Sequence, residues 1–583
     1  MSLPDPEVTR CKYEHWWRRR LRTGNDHRQA LEQGAISIPR PSVPPSLDSK
    51  HGNFPSSPSR HPETDVEKAL HIVVRVRSLS SDASNLCLPS FPSDDVLPRA
   101  KPVQEHVPGS PKRHIRIVRH LRFTVFTVYR RLFTFVFILN FISVVVLFHG
   151  HPANTLNTAR TINVLSALAS SNFLVAILIR QDLLVSLLFR TAWLVPWTLS
   201  LRVRTIMARV YCYGGIHSGA AIAGSIWWIL FTVAMTYTFV QEGIYTLSTT
   251  MLSWLILVFL STILLLAVPR FRVRYHDTFE MTHRFLGWGS VGLFWCQLLL
   301  LTHHVQSVSR YESKLECLLN NPTFWNLSII TILLIYPWLR LQRWTFTAYP
   351  LSSHALCLSF PQNIHKFSCI SISSSPLCEW HPFATFPSSD APDSGASMVI
   401  SNAGDWTKSV IQDAQMRHTI HNAIANRLTS TQARFNEGVK MRFWVKSHPK
   451  PGVLSLSCLF PRVLLVTTGS GIGPCLSSLL DSPQPTPTHP HRTQFARLIW
   501  STRYPHAAYG SHILSLVRKA DPDALIIDTS ATGRPDLLQV SYRMAMEVKA
   551  EAVFVLSNEV VTRALVGGLE KRGIRAFGPI WDS

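Results

Sequence analysis

The residues best placed to do chemistry in this sequence are three alternating glycines, Gly469, Gly471 and Gly473, followed by Pro474. They follow the apolar run 463–467, and a helix is expected to start just after them. Glycines let such a turn close tightly and let backbone amides approach a pyrophosphate, which the dipole and free N–H groups of the next helix then face. Proline suits a first helical turn, because its missing N–H would have had no partner there. A tight strand-to-helix turn with no ligand uses the same residues, and the third glycine comes too early for the GxGxxG spacing. The second chemical set is a pair of histidines. His217 and His283 stand at the heads of two long apolar segments, where an imidazole can bond to backbone, water or carboxylates or ligate a metal. Nothing stands out as a catalytic acid, base or nucleophile. The ten cysteines are scattered with no CxxC pair, which argues against a disulfide scaffold and against structural zinc.

Two kinds of element must hold these residues. Six apolar segments, 132–148, 162–179, 217–240, 251–268, 285–302 and 324–339, lie near the ~17–25 residues that a helix needs to cross a bilayer. The stretch 183–199 is apolar but carries Arg190 and Pro196, and reads as an interfacial or re-entrant helix. Arg180, Arg190, Arg202, Arg204 and Arg209 fall between the second and third segments, and Arg270, Arg272, Arg274 and Arg284 between the fourth and fifth. The opposite loops hold only Arg160, Arg310 and Lys314, so the positive-inside rule places both termini in the cytosol. No signal peptide is expected at the start, where residues 1–20 are polar.

After Arg340 the texture becomes that of a soluble domain. Strand-like runs 463–467, 498–501, 525–528 and 553–556 alternate with helix-like runs 476–480, 513–518, 537–548 and 560–572, which argues for a parallel sheet with helices on its faces. Between residues 360 and 444 the segments are short and β-like without long helical periods, and a small barrel is expected. The organisation is therefore a disordered cytosolic arm (1–112), a six-span α-helical membrane domain (113–340), a cytosolic β-barrel (341–447) and an α/β nucleotide-binding domain (448–583). A net charge of +23 with only 16% charged residues sits beside apolar runs, which fits a lipid bilayer and phosphorylated cofactors. A nucleic-acid binder would cluster its bases with stacking aromatics, and no such cluster exists.

Four motifs in order carry a resemblance. His381-Pro382-Phe383-Ala384-Thr385-Phe386 resembles the His-Pro-Phe flavin motif of fungal ferric reductases and NADPH oxidases, and Gly404-Asp405-Trp406-Thr407 resembles their Gly-Asp-Trp-Thr strand. Gly469–Pro474 is similar to the loops of the ferredoxin-reductase group, and Thr532-Gly533-Arg534-Pro535-Asp536 to the oxidases' Gly-Arg-Pro segment. The pattern over residues 110–583 looks like the fungal TmpA-type integral-membrane flavoproteins, a ferric-reductase-like branch. A similar module ends some fungal adenylate-forming reductases, although no adenylation domain is expected ahead of it here.

The resemblance implies FAD at His381, Pro382, Phe383 and Thr385, and NAD(P)H at Gly469, Gly471, Gly473, Pro474 and Arg534. It also implies a 2′-phosphate contact at Arg503 and an aromatic, Trp581, against the isoalloxazine. The family's Cys-Gly-Pro appears as Leu556-Ser557-Asn558, which puts efficient hydride transfer in question, and Lys450-Pro451-Gly452 replaces the segment that cradles the flavin pyrophosphate poorly. In that family two helices each carry two histidines about 13 or 14 residues apart, a ~20 Å rise that stacks two haems. The outer positions here hold Phe231, Cys296 and Gln297, so the spacing excludes a second haem. His217 and His283 leave two readings, one inner haem or two interfacial imidazoles bonded to backbone, water or carboxylates. The expected function is a multi-pass, plasma-membrane NAD(P)H-dependent flavin oxidoreductase with an unknown electron acceptor, and proteins of this type are implied to act in development. The alternative is a nucleotide-sensing regulator without turnover.

Overall fold

A computed structural model describes residues 126–149, 158–308, 313–362, 364, 367–388, 395–428, 438–446, 449–480 and 493–580. The arm 1–112 and Trp581 lie outside the described residues.

The chain opens with α1 (Val128–His149) and α2 (Thr158–Leu178), then short helices α3 (Asp182–Trp193) and α4 (Leu201–Met207) and a 3₁₀ turn at Val210–Tyr213. There follow α5 (Gly214–Tyr237), α6 (Leu247–Ala267), the short α7 (Pro269–Arg274), the long α8 (His276–Val308), the short α9 (Lys314–Leu319) and α10 (Pro322–Leu339). Among these, α1, α2, α5, α6, α8 and α10 are long and apolar enough to cross a membrane, one for each expected segment. Helix α5 is the hub, packing on α1, α2 and α6. Gly215 and Gly219, one turn apart, make this possible. A Cβ on Gly215 would collide with the Tyr129 carbonyl, and one on Gly219 would lie 3.1 Å from the Phe133 carbonyl. Small residues at this spacing let two helix backbones approach closely. With its glycine face against α1, α5 turns His217 toward α2 and α8. The stretch expected as an interfacial helix is α3 and the turn after it, whose twelve residues rise only about 18 Å.

The barrel follows. Strands β1 (Gln342–Pro350), β2 (Ala355–Phe360), β3 (Ser368–Ser373), β4 (His381–Ala384), β5 (Phe386–Pro387) and β6 (Ala396–Ser401) precede α11 (Asp405–Leu428), β7 (Val439–Val445) and β8 (Lys450–Pro451). The path is β4-β3-β7-β1-β2-β6-β5, with β8 on β3. Because β4 and β5 are two halves of one segment interrupted at Thr385, the ends of the path meet and the antiparallel sheet comes close to closing on itself. Phe346, Leu356, Leu358, Ile370, Met398 and Phe443 fill the interior.

One element contradicts expectation. Gly404-Asp405-Trp406-Thr407 does not continue a strand but starts the 24-residue helix α11. The Thr407 hydroxyl accepts from the Ala403 and Gly404 amides at 3.0 Å, closing a turn that ends β6. Only Val410, Ile411 and Ala414 of the helix are buried with the barrel core, so its apolar stripe is short and its periodicity faint.

The last unit alternates β9 (Arg462–Thr468), α12 (Ile472–Leu479), β10 (Phe495–Thr502), α13 (Pro505–Ala520), β11 (Leu525–Asp528), α14 (Leu537–Glu547), β12 (Ala552–Leu556), α15 (Glu559–Lys571) and β13 (Ala576–Phe577). Its sheet is wholly parallel, in the order β11-β10-β9-β12-β13. Each strand and helix expected here is present. Strands buried on both faces read as continuous apolar runs, which is why this region was so legible.

Candidate functional site

In the parallel sheet the chain moves outward from β9 through β10 to β11, then returns to the other side of β9 for β12. Such a reversal opens a crevice at the carboxyl ends of the two strands that flank it, the usual place for a nucleotide in open α/β sheets. Gly469–Pro474 sits at that point. Gly469 has φ of +52°, and its carbonyl accepts from the buried Trp500 indole at 2.9 Å. Gly471 has no room for a side chain, since a Cβ would strike the Thr467 hydroxyl and lie 2.7 Å from the Leu556 carbonyl. Thr467 donates to that same carbonyl at 2.9 Å, and the Thr468 and Ser557 hydroxyls bond each other, so β9 and β12 are tied across the reversal. The Ser557 hydroxyl, just after β12, therefore has a partner within the fold.

Arg503 follows β10 and Arg534 lies in the loop after β11, both exposed and both at this carboxyl edge. Asp528, which ends β11, accepts from the Tyr504 amide at 3.0 Å and from Ser530, so the neighbouring turns hold the acid beside Arg503. Asp536 caps α14 by accepting from the Leu538 and Gln539 amides.

The barrel meets this crevice through α12, which packs against β4 and β5, with a Cβ position on Gly473 only 3.8 Å from Val399 of β6. The nucleotide loop and the His-Pro-Phe strand are thereby brought together, although 84 or more positions separate Gly469 from His381 through Thr385. On β4 the His381 ring stacks on Trp406 at 4.1 Å and Phe383 lies 6.2 Å from the same indole. His381 Nε2 is buried and has no hydrogen-bond partner among the described residues. Burial lowers the His381 pKa, against the opposing pull of Glu379 and Asp277. Thr385 is committed elsewhere, its hydroxyl donating to the Ser368 carbonyl at 3.0 Å where the barrel closes.

The two histidines meet inside the helical bundle. His217 and His283 have ring centroids 6.3 Å apart and planes within 23°. His217 Nδ1 lies 2.8 Å from the Ala176 carbonyl. A carbonyl only accepts, so Nδ1 carries the proton and Nε2 keeps its lone pair. The pair borders a cavity of about 210 Å³ whose walls include small residues, among them Ala169, Ala176, Ala221, Gly287 and Ser290. At the other end of the same helices, Phe231 stacks on Trp228 at 4.4 Å, and Phe294 meets Trp228 edge-on at 4.6 Å. Gln297 is buried there, with both amide atoms unpartnered among the described residues.

Sequence reasoning missed the clasp between the bundle and the nucleotide-binding unit. Arg204, read only as a topology marker, is buried and donates to the Leu459 carbonyl at 3.0 Å and to Glu551 at 2.7 Å. Arg209 pairs with Glu570, donates to the Ala576 carbonyl at 3.1 Å and lies 4.7 Å from the centre of the Phe577 ring. Trp197 donates to the Cys458 carbonyl, and Asp182 pairs with Lys450 of β8. On the barrel side Arg284 pairs with Glu280 and donates to the Leu377 and Cys378 carbonyls. Beside it Lys446 sits 4.9 Å from the Trp380 ring centre, its pKa lowered to about 8 by burial and by Lys450. No sequence signal finds these pairs, because Arg204 and Glu551 are 347 positions apart.

Comparison with known proteins gives the following. Residues 453–583 match the family model described as the C-terminal domain of adenylate-forming reductase 03009. That match begins just after β8, the last strand of the barrel. Two curated relatives come from Coprinopsis cinerea. Adenylate-forming reductase 06235 is 35% identical over 82% of this chain and 42% of its own length. Adenylate-forming reductase 03009 is 34% identical over 80% of this chain and 41% of its own. Among solved structures, a ferredoxin NADP+ reductase from Neisseria gonorrhoeae with bound FAD and NADP aligns at 13% identity and TM-score 0.28, covering 41% of this chain and 99% of that one. Ferredoxin-NADP+ reductase from Plasmodium falciparum aligns at 10% identity and TM-score 0.28, covering 41% and 96%. The chain is thus similar, over four fifths of its length, to proteins named adenylate-forming reductases, and it spans about two fifths of the length of each.

Proposed function

We propose that this chain is a membrane-bound flavoprotein oxidoreductase that takes electrons from NAD(P)H onto FAD and hands them to an acceptor in or beside the bilayer. The observation that carries the reading is the seating of α12, which sets the glycine loop of the nucleotide crevice against the His-Pro-Phe strand of the barrel. The word reductase in the names of both relatives accords with it.

The chain's own residues divide the work as follows. The Gly469–Pro474 backbone and the start of α12 hold the pyrophosphate of the nicotinamide nucleotide. Arg503 and Arg534 supply cations at the same edge, and a guanidinium can grip a 2′-phosphate through two bonds. On the barrel, the orphaned His381 Nε2 and the His381–Trp406 stack fit a flat, polar-edged ring such as isoalloxazine. Flavin and nicotinamide supply the redox chemistry, and the protein supplies position, electrostatics and exclusion of water. Six apolar helices, with Phe141, Val146, Val258 and Leu265 exposed on their outer surfaces, set this unit on a bilayer.

His217 and His283 fit one haem. Their ring centroids lie 6.3 Å apart with planes within 23°, and these two imidazoles are the residues that would hold it. The Nδ1–H bond to Ala176 is the usual way a ligating imidazole is oriented. Among the described residues no group of three or more His, Cys, Asp or Glu gathers to hold a bare metal ion, so the remaining ligands would come from a macrocycle. Bound haem would supply a one-electron site at the inner end of the bundle.

An anaerobic absorbance spectrum of the detergent-purified protein, before and after NADPH, tests this reading. Flavin bands that bleach are the expected result, with a Soret band from the histidine pair. Flavin that binds but stays oxidised would sink the enzyme. It would favour a second reading, a nucleotide-sensing regulator without turnover, which Leu556 in place of a thiol at the end of β12 supports.

A further inference from the structure

The connector between α2 and α5 has two apolar faces, and only one is covered. Val185, Phe189, Ala192 and Ala208 pack into the core that also holds Leu459, Phe460 and Phe577 of the nucleotide-binding unit. On the opposite side Leu183, Leu187, Leu194, Leu199, Val203 and Ile206 are exposed, with Leu194 at 73% and Ile206 at 70%. Positions 183, 187 and 190 form one stripe of α3, continued by its cap Leu194, and 202, 203 and 206 form one stripe of α4. Each stripe therefore includes one exposed arginine, Arg190 or Arg202. From 179 to 213 the only acid is Asp182, and Lys450 already pairs with it.

We propose that this second face lies on an anionic lipid surface, so that the connector joins the bilayer to the nucleotide-binding unit. The inference rests on the membrane-spanning reading of α2 and α5. Because the connector starts just after Leu178 and ends at Gly214, it must run along the same edge of the bilayer. An amphipathic element there buries its apolar face about 5–10 Å into the headgroup boundary, and each basic residue near an anionic leaflet adds attraction. The exposed α7, with Arg270, Arg272 and Arg274 alternating with Phe271 and Val273, adds a second patch of the same character. The arginines of the connector divide accordingly. Arg204 and Arg209 hold the protein, and Arg190 and Arg202 face phosphate headgroups.

The test is spin-label depth on the full chain in vesicles, with labels at Leu194→Cys and Ile206→Cys. Thr419→Cys on α11 serves as an aqueous control and Val258→Cys on α6 as a mid-bilayer control. The expected result is shallow burial at 194 and 206 that deepens when phosphatidylserine is added to phosphatidylcholine. Adding Arg190→Gln and Arg202→Gln should abolish that deepening. Labels at 194 and 206 as aqueous as 419, with 258 deep, would overturn the proposal and leave the membrane reading standing. Depth indifferent to phosphatidylserine would overturn the anionic preference, and an aqueous 258 would remove the membrane reading with it.

Discussion

Helices α5 and α8 end differently on their two sides. Near the nucleotide-binding unit they present two imidazoles 6.3 Å apart beside a cavity, and farther along Trp228 and Phe294 line the same cavity, with Trp228 stacked on Phe231. The same pair of helices thus carries two imidazoles at one end and packed aromatic rings farther along. Under the proposed function, electrons can enter the bundle from the nucleotide side but meet no equivalent station beyond.

Substitutions at the two ends should therefore fail in opposite ways. His217→Ala is expected to abolish the Soret band while the helical content survives, and a full Soret band in that variant would remove the inner haem from the reading. Phe231→Ala should keep the Soret band but destabilise the fold by about 3 kcal/mol or more, as removal of a fully buried ring does. Thermal unfolding in detergent measures this, and an unchanged midpoint would mean that the outer end is not held by packing.

The smallest effect concerns Lys446, beside Trp380 on the barrel. Its pKa falls from an ordinary 10.5 to about 8, so from pH 8 to 10.5 the unfolded chain binds more protons than the folded one. Stability should rise with pH across that window. Lys446→Met should flatten the rise, and an identical slope in the variant would assign the effect to another group.

What the sequence revealed follows from the range of the interactions involved. Strands β9 to β12 and the six long helices were legible because each is an apolar run fixed by its own residues. The glycine loop was legible because tight backbone geometry restricts residue type locally. Helix α11 was missed because its buried stripe is only Val410, Ile411 and Ala414, and Gly-Asp-Trp-Thr was read by its resemblance to a strand. Thr385 was assigned to flavin, whereas barrel closure, a long-range event, engages its hydroxyl with Ser368. The arginines at 204 and 209 were read as topology markers, and their partners Glu551 and Glu570 lie hundreds of positions away and left no local trace.

That clasp has a mechanical consequence. A reductase unit on a flexible tether must swing to and from its partner, and its turnover then slows as the medium thickens. Here Arg204, Arg209, Trp197 and the Asp182–Lys450 pair fasten the C-terminal unit to the bundle from one side, while Arg284 grips the barrel from the other. The gap between nucleotide crevice and histidine pair is then a fixed length, set by rigid contacts rather than by diffusion of a domain.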